Sequence, residues 1–167
     1  MAMTTQKKTL YVLRHAKAVL AHEAAADHAR TLSERGIADA TALGHRLAHC
    51  AMPVQYVLCS TAARTRQTHA ALGLDVPVAF SEKLYLASGA ELLQLLCALP
   101  DTTESTLLIG HNPSVHELVG ALTYDALNAR DWERLRVSFP TCALAVLSFT
   151  GSWETLAPDS AMLEALL

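Results

Sequence analysis

Three short apolar runs in this chain each stop abruptly and lead into an arginine or a histidine. The first, Thr9-Leu-Tyr-Val-Leu13, runs straight into Arg14-His15-Ala16. Rich in Leu, Val and Tyr, it predicts a buried strand. A guanidinium and an imidazole are costly inside a core, so the pair belongs where the strand leaves its sheet. A second run, Thr106-Leu-Leu-Ile109, ends in Gly110-His111-Asn112-Pro113. A third, Tyr56-Val-Leu-Cys59, leads through Ser60-Thr61-Ala62-Ala63 to Arg64. In open α/β sheets, ligands bind beyond the carboxyl ends of the strands. Three such ends delivering cationic or imidazole groups point to one site for an anion, with a phosphoryl group as the expected occupant.

Helix and strand signals alternate along the rest of the chain. Residues Ala18 to Thr31 read as a surface loop or irregular helix. Ser33 can cap a following helix, where Ile37, Ala40, Leu43, Gly44 and Leu47 share one face. A helix from about Ala63 to Leu72 is expected to end at Gly73, and Val76 to Phe80 reads as a strand. Ser88-Gly89 precedes a Leu-rich helix, Ala90 to Leu99, stopped by Pro100. The run after His111 feeds a helix beginning near Pro113. Thr141 to Phe149 is a long apolar run, which Thr150-Gly151-Ser152 is expected to turn into Trp153 to Leu156 as a hairpin. No repeat or linker interrupts the 167 residues, so the expectation is one α/β domain over residues 1–167, with a largely parallel sheet and one antiparallel edge.

Composition narrows the classes. The chain is 51% hydrophobic and 17% charged, against disorder, and its net charge of −3 argues against a nucleic-acid partner. Cys50, Cys59, Cys97 and Cys142 are scattered without a Cys-x-x-Cys pair, so they read as buried free thiols suited to a reducing compartment. Met1 to Lys8 leads directly into a short strand, and no apolar run reaches membrane-spanning length. A cytoplasmic protein with no membrane partner is expected.

Five segments, in order, carry a resemblance to a known family. Leu10-Tyr-Val-Leu-Arg-His-Ala-Lys17 resembles the Arg-His-Gly/Ala signature of the histidine phosphatase superfamily, and most closely of its small SixA-type phosphohistidine phosphatases. Asp27-His-Ala-Arg-Thr-Leu-Ser33, with Gly36, is similar to that family's Asp-x-x-Arg-Pro-Leu-Ser/Thr segment. Cys59-Ser-Thr-Ala-Ala-Arg-Thr-Arg-Gln-Thr68 resembles the segment carrying its second phosphate-binding arginine. Leu107-Leu-Ile-Gly-His-Asn-Pro113 resembles the one carrying its second histidine, and Phe139-Pro-Thr-Cys-Ala-Leu-Ala-Val-Leu147 its late strand. The resemblance implies a three-layer phosphoglycerate mutase-like α/β fold, with a mostly parallel central sheet and helices on both faces.

It also implies roles. His15 attacks phosphorus, giving a phosphohistidine intermediate that water hydrolyses, and His111 donates a hydrogen bond to a non-bridging oxygen. Arg14 and Arg64 bind the phosphoryl oxygens, a task suited to planar guanidinium groups. No metal or other cofactor is required, since these groups supply the positive field. Arg30 admits two readings: a further phosphate contact, or a salt bridge to Asp27 that pins the loop. Glu82, after a predicted strand, is the candidate general acid, or else a surface carboxylate beside Lys83. His45 and His49 have metal-ligand spacing but no third ligand in sequence, and Arg66 and Lys17 read as solvated charges. His22, His28, His69 and His116 have no partner that sequence identifies.

The space between Arg64 and His111 holds one strand, one loop and one helix, too little for a large helical cap. An open site of that kind admits a phosphorylated protein side chain, making protein phosphohistidine the first-choice substrate. A small phosphorylated molecule is the alternative, and a non-catalytic phosphate-binding module is the alternative outside enzymology. Sequence leaves the oligomeric state open.

Overall fold

The computed structural model describes residues 6–167; Met1 to Thr5, part of the stretch expected to lead directly into the first strand, lie outside the described residues. Strands β1 (Lys7–Arg14), β2 (Tyr56–Ser60), β3 (Val78–Ser81), β4 (Ser105–Gly110), β5 (Leu144–Thr150) and β6 (Met162–Leu166) form one sheet in the order β3-β2-β4-β1-β5-β6. β1 to β4 run parallel, and β5 runs against both of its neighbours. Alternation of side chains along a strand divides the core in two. Leu10, Val12, Leu58 and Leu108 pack with Leu92, Leu96 and Leu118 from α3 (Gly89–Cys97) and α4 (Ser114–Thr123). Tyr11, Leu13, Val57, Leu107 and Ile109 face the other way, onto Leu43, Leu47 and Leu72 from α1 (Glu34–Leu47) and α2 (Ala63–Leu72). The central strands are buried on both faces and read as continuous apolar runs for that reason.

Close packing of α1 depends on two glycines. A Cβ on Gly36 would lie 2.1 Å from the Lys17 carbonyl oxygen, and one on Gly44 2.1 Å from that of Leu72. Ser33 caps α1 by accepting from the Gly36 N–H, as its position predicts. The stretch after β1 is irregular, with 3-10 turns at Ala21–Glu23 and Asp27–Ala29.

Three expectations change. Trp153 to Leu156 is not the second arm of a hairpin: Trp153–Thr155 is a 3-10 turn. The Trp153 indole is buried edge-on against Phe149 and donates to the Thr103 carbonyl at 2.7 Å, contacts that a strand leaving the turn would give up. β5 pairs instead with β6, from the apolar C-terminal tail. A helix, α5 (Ala129–Val137), occupies a stretch where sequence indicated no element; it is strongly polar, Ala-Arg-Asp-Trp-Glu-Arg-Leu-Arg-Val, and Leu135 is its one buried residue. Of the four free cysteines only Cys59 is buried; Cys50, Cys97 and Cys142 lie at turns or a helix end and are half-buried.

The pairing register positions the site. Arg14 lies beside Gly110, and Cys59 beside Ile109, so β1, β2 and β4 end level. His15, His111 and Thr61, which follow these strands, and Ser60, which ends β2, therefore lie at one edge of the sheet.

Candidate active site

His15 begins where β1 stops. Its N–H donates to the Gly110 carbonyl at 3.0 Å, and the carbonyls of Arg14 and His15 both accept from the Cys142 N–H. The imidazole is 8% exposed, with Nδ1 2.7 Å from the Ala16 carbonyl. A carbonyl only accepts, so Nδ1 holds the ring proton and Nε2 carries the lone pair. Burial, aided by the charges of Arg64, Arg14 and Arg30 and opposed by the Ala16 bond, pushes the His15 pKa down to about 4. At neutral pH this is a free-base imidazole with its lone pair on a defined atom, the state that nucleophilic attack requires.

His111, 6% exposed, sits with its ring centroid 5.3 Å from that of His15. Burial first, then Arg64 and His15, lowers its pKa to about 3. Its Nε2 is 2.8 Å from the Ser60 hydroxyl. Arg14 Nη1 donates at 3.0 Å to the Phe139 carbonyl, which also accepts from Asn112 Nδ2 at 2.8 Å. Arg64, in the first turn of α2 and 6% exposed, donates from Nη1 to the Asp27 carbonyl at 2.7 Å and from Nη2 to its carboxylate at 3.0 Å. Thr68 ties this helix to the loop after β1, accepting from the Ala16 N–H and donating to the Arg64 carbonyl. After these bonds, Arg14 Nε, Arg64 Nε and His111 Nδ1 are buried without a hydrogen-bond partner among the described residues. Unpaired buried polar atoms are costly, and an oxyanion is a fitting partner for a guanidinium Nε and for a His111 Nδ1 that carries the ring proton.

Arg30 is engaged elsewhere. Its Nε and Nη2 donate to the Val19 carbonyl and its Nη1 to Asp27, the loop-pinning salt bridge. It adds charge toward His15 without a free fork. Glu82 stands at the rim, its side chain 70% exposed, accepting from the Thr61 hydroxyl with His28 Nε2 3.6 Å away. No bond to Lys83 is seen. His116 is held away, on the Leu135 carbonyl and against the Phe139 ring. His45 and His49 are exposed, and no three His, Cys, Asp or Glu among the described residues group to hold a metal ion.

Sequence reasoning did not single out several neighbours. Asp27, foreseen only as the partner of Arg30, also accepts from the Tyr85 hydroxyl and from Arg64; Tyr85, Arg30 and Arg64 together hold its carboxyl well below the usual range. Tyr85 lies edge-on to both His111 and His28. Asn112 and the Phe139 carbonyl orient Arg14. The signal for Asp27 was its place three residues before Arg30; nothing local marks Ser60 as a partner of His111. A hollow of about 360 Å³ opens beside His111 and Asn112, bounded by Tyr85, Leu86 and Glu117.

Two buried neutral imidazoles make folding sensitive to acid. The unfolded chain takes up protons near pH 6.5, whereas the folded His15 refuses them until about pH 4. Stability is therefore fully present above 6.5 and is lost as pH falls through that window, by about 3 kcal/mol for His15 alone. Thermal melts in anion-free buffer should show Tm falling between pH 7 and 4, less steeply in His15→Gln. Identical pH profiles would contradict the burial argument.

The sequence pattern of the Histidine phosphatase superfamily (branch 1) matches residues 10–85. An uncharacterized protein of Mycobacterium leprae is 34% identical over 156 residues, covering 92% of this chain and 97% of the relative. The structure of a candidate phosphohistidine phosphatase SixA from Nakamurella multipartitia superposes with TM-score 0.87 at 36% identity, covering 96% of this chain and 95% of that one. A protein histidine phosphatase SixA complexed with tungstate shares the fold, with TM-score 0.78 at 23% identity over 95% of this chain and 96% of that one. With its phosphoglycerate mutase-like fold and its Arg14-His15 strand end facing His111, the chain belongs to the histidine phosphatase superfamily, in the SixA-type group, and is a phosphatase.

Proposed function

We propose that this phosphatase removes the phosphoryl group from phosphohistidine in proteins, by two displacements at phosphorus through His15. The observation that carries the reading is the set of unpartnered buried donors, Arg14 Nε, Arg64 Nε and His111 Nδ1, gathered at the strand edge that also presents the Nε2 lone pair of His15. Arg14 and Arg64 take the phosphoryl oxygens and align phosphorus for attack. A bond forms from His15 Nε2 to phosphorus as the bond to the leaving atom breaks, and that atom keeps the electron pair. Water then attacks phosphorus and the His15 nitrogen leaves. His111 Nδ1 donates to an oxygen that gains charge in both steps. Arg30 contributes through the loop it pins and the field it adds. The tungstate complex of the SixA structure above and the name of the Nakamurella protein support an oxyanion site and the choice of substrate.

The imidazole of phosphohistidine leaves with less help than an alkoxide, so a rim carboxylate such as Glu82 is enough. A second reading rests on that same carboxylate: Glu82 beside His28 can pass a proton to an alkoxide, the requirement of a small-molecule phosphomonoesterase. A turnover panel decides between them. With a phosphohistidine peptide, phosphoserine and phosphotyrosine peptides and sugar phosphates, kcat/KM is expected to favour phosphohistidine by about 100-fold. Preference for an ester would overturn the substrate assignment. Turnover should also survive EDTA, because guanidinium and imidazole groups supply the field that a metal would. Loss on chelation with recovery on one particular metal would refute the metal-independent mechanism.

A further inference from the structure

Ser60, the last residue of β2, is wholly buried beneath His111. Its hydroxyl has two partners among the described residues. One is the Ala62 N–H at 3.4 Å, which can only donate. The other is His111 Nε2 at 2.8 Å. With one lone pair facing a donor, the single hydroxyl proton has one acceptor within reach, the imidazole nitrogen. A neutral imidazole has one ring proton, so accepting at Nε2 leaves that proton on Nδ1. That nitrogen is the buried one without a partner.

We propose that Ser60 is a positioning residue: by donating to Nε2 it fixes His111 as the tautomer whose Nδ1–H meets a phosphoryl oxygen. The proposal rests on the phosphoryl-transfer reading of the site given above. The reverse tautomer would turn a nitrogen lone pair toward an oxyanion, and repulsion would replace a hydrogen bond. The two histidines are thereby set up in complementary ways. His15 needs a free lone pair, and its partner is a carbonyl that accepts. His111 needs a free proton, and its partner is a hydroxyl that donates. The same commitment removes Ser60 as a competing nucleophile, since its oxygen is inaccessible and both partners are used.

The test is ¹⁵N NMR of the full chain labelled at histidine, at pH 7, with and without tungstate. His111 in the unsubstituted protein is expected to show a protonated Nδ1 and an unprotonated Nε2. Ser60→Ala should shift His111 toward the Nε2-protonated form and lower kcat by about 10- to 100-fold with KM little changed. Ser60→Thr, which keeps the hydroxyl, should restore the tautomer. A proton found on Nε2 in the unsubstituted protein would overturn the proposal, as would an unchanged tautomer and kcat in folded Ser60→Ala. If the variant fails to fold, the unsubstituted spectrum decides alone. Failure of the covalent reading would show separately, as no phosphoryl group on His15, without altering the tautomer.

Discussion

Replacing His15 by alanine is expected to abolish turnover, lowering kcat by on the order of 10⁴ or more, while tungstate still binds through Arg14 and Arg64. The separation of binding from rate follows from the geometry. The arginine donors belong to side chains anchored by the Phe139 carbonyl and by Asp27, not by the His15 ring. In the intact protein, rapid quenching into alkali should trap phosphate on a nitrogen of His15, labile in acid and comparatively stable in base. The phosphate is expected on Nε2, because Nδ1 is committed to the Ala16 carbonyl at 2.7 Å. Peptide mapping by mass spectrometry locates it. Wild-type-like turnover by His15→Ala would sink the covalent mechanism. A phosphoryl group found on Thr61 would keep the pocket but replace the nucleophile.

Arg64→Ala should lower kcat/KM by about 10³, with both terms affected. The residue carries one of the three unpartnered donors, and its other nitrogens hold Asp27 through the carbonyl and the carboxylate. Truncation removes a clamp on the phosphoryl group and releases the loop that Arg30 and Tyr85 also grip through Asp27. Arg64→Lys should recover little, because an ammonium has no planar fork to span Asp27 and an oxyanion together. Arg14→Ala should weaken binding and rate in the same sense. His111→Ala should act mainly on kcat, since its bond strengthens as charge develops. Steady-state kinetics with tungstate inhibition constants separate these cases. An Arg64→Ala enzyme with unaltered kcat/KM would remove Arg64 from the site.

Much of this architecture is local information. Thr9 to Leu13, Tyr56 to Cys59 and Thr106 to Ile109 announce buried strands by apolar, branched composition. Polar groups at their ends must leave the core, so Arg14, His15, Arg64 and His111 could be placed together before any pairing was known. The hairpin failed because a local turn signal at Thr150-Gly151-Ser152 was outweighed by the burial of Trp153, whose partners Phe149 and Thr103 are set by packing. Helix α5 escaped notice because its sequence is dominated by charged residues and it buries only Leu135, so no apolar run marks it.

Sequence by itself determined the residue types of the site and the strand ends that deliver them, because burial and polarity act residue by residue. Tertiary structure decided the chemistry those residues have. Asp27 meets Arg64 across 37 positions, and Ser60 meets His111 across 51. Those pairings orient the guanidinium and place the imidazole proton, and no local pattern encodes a hydrogen bond between distant segments. The free-base state of His15 likewise comes from the burial and the three arginine charges that folding assembles around it.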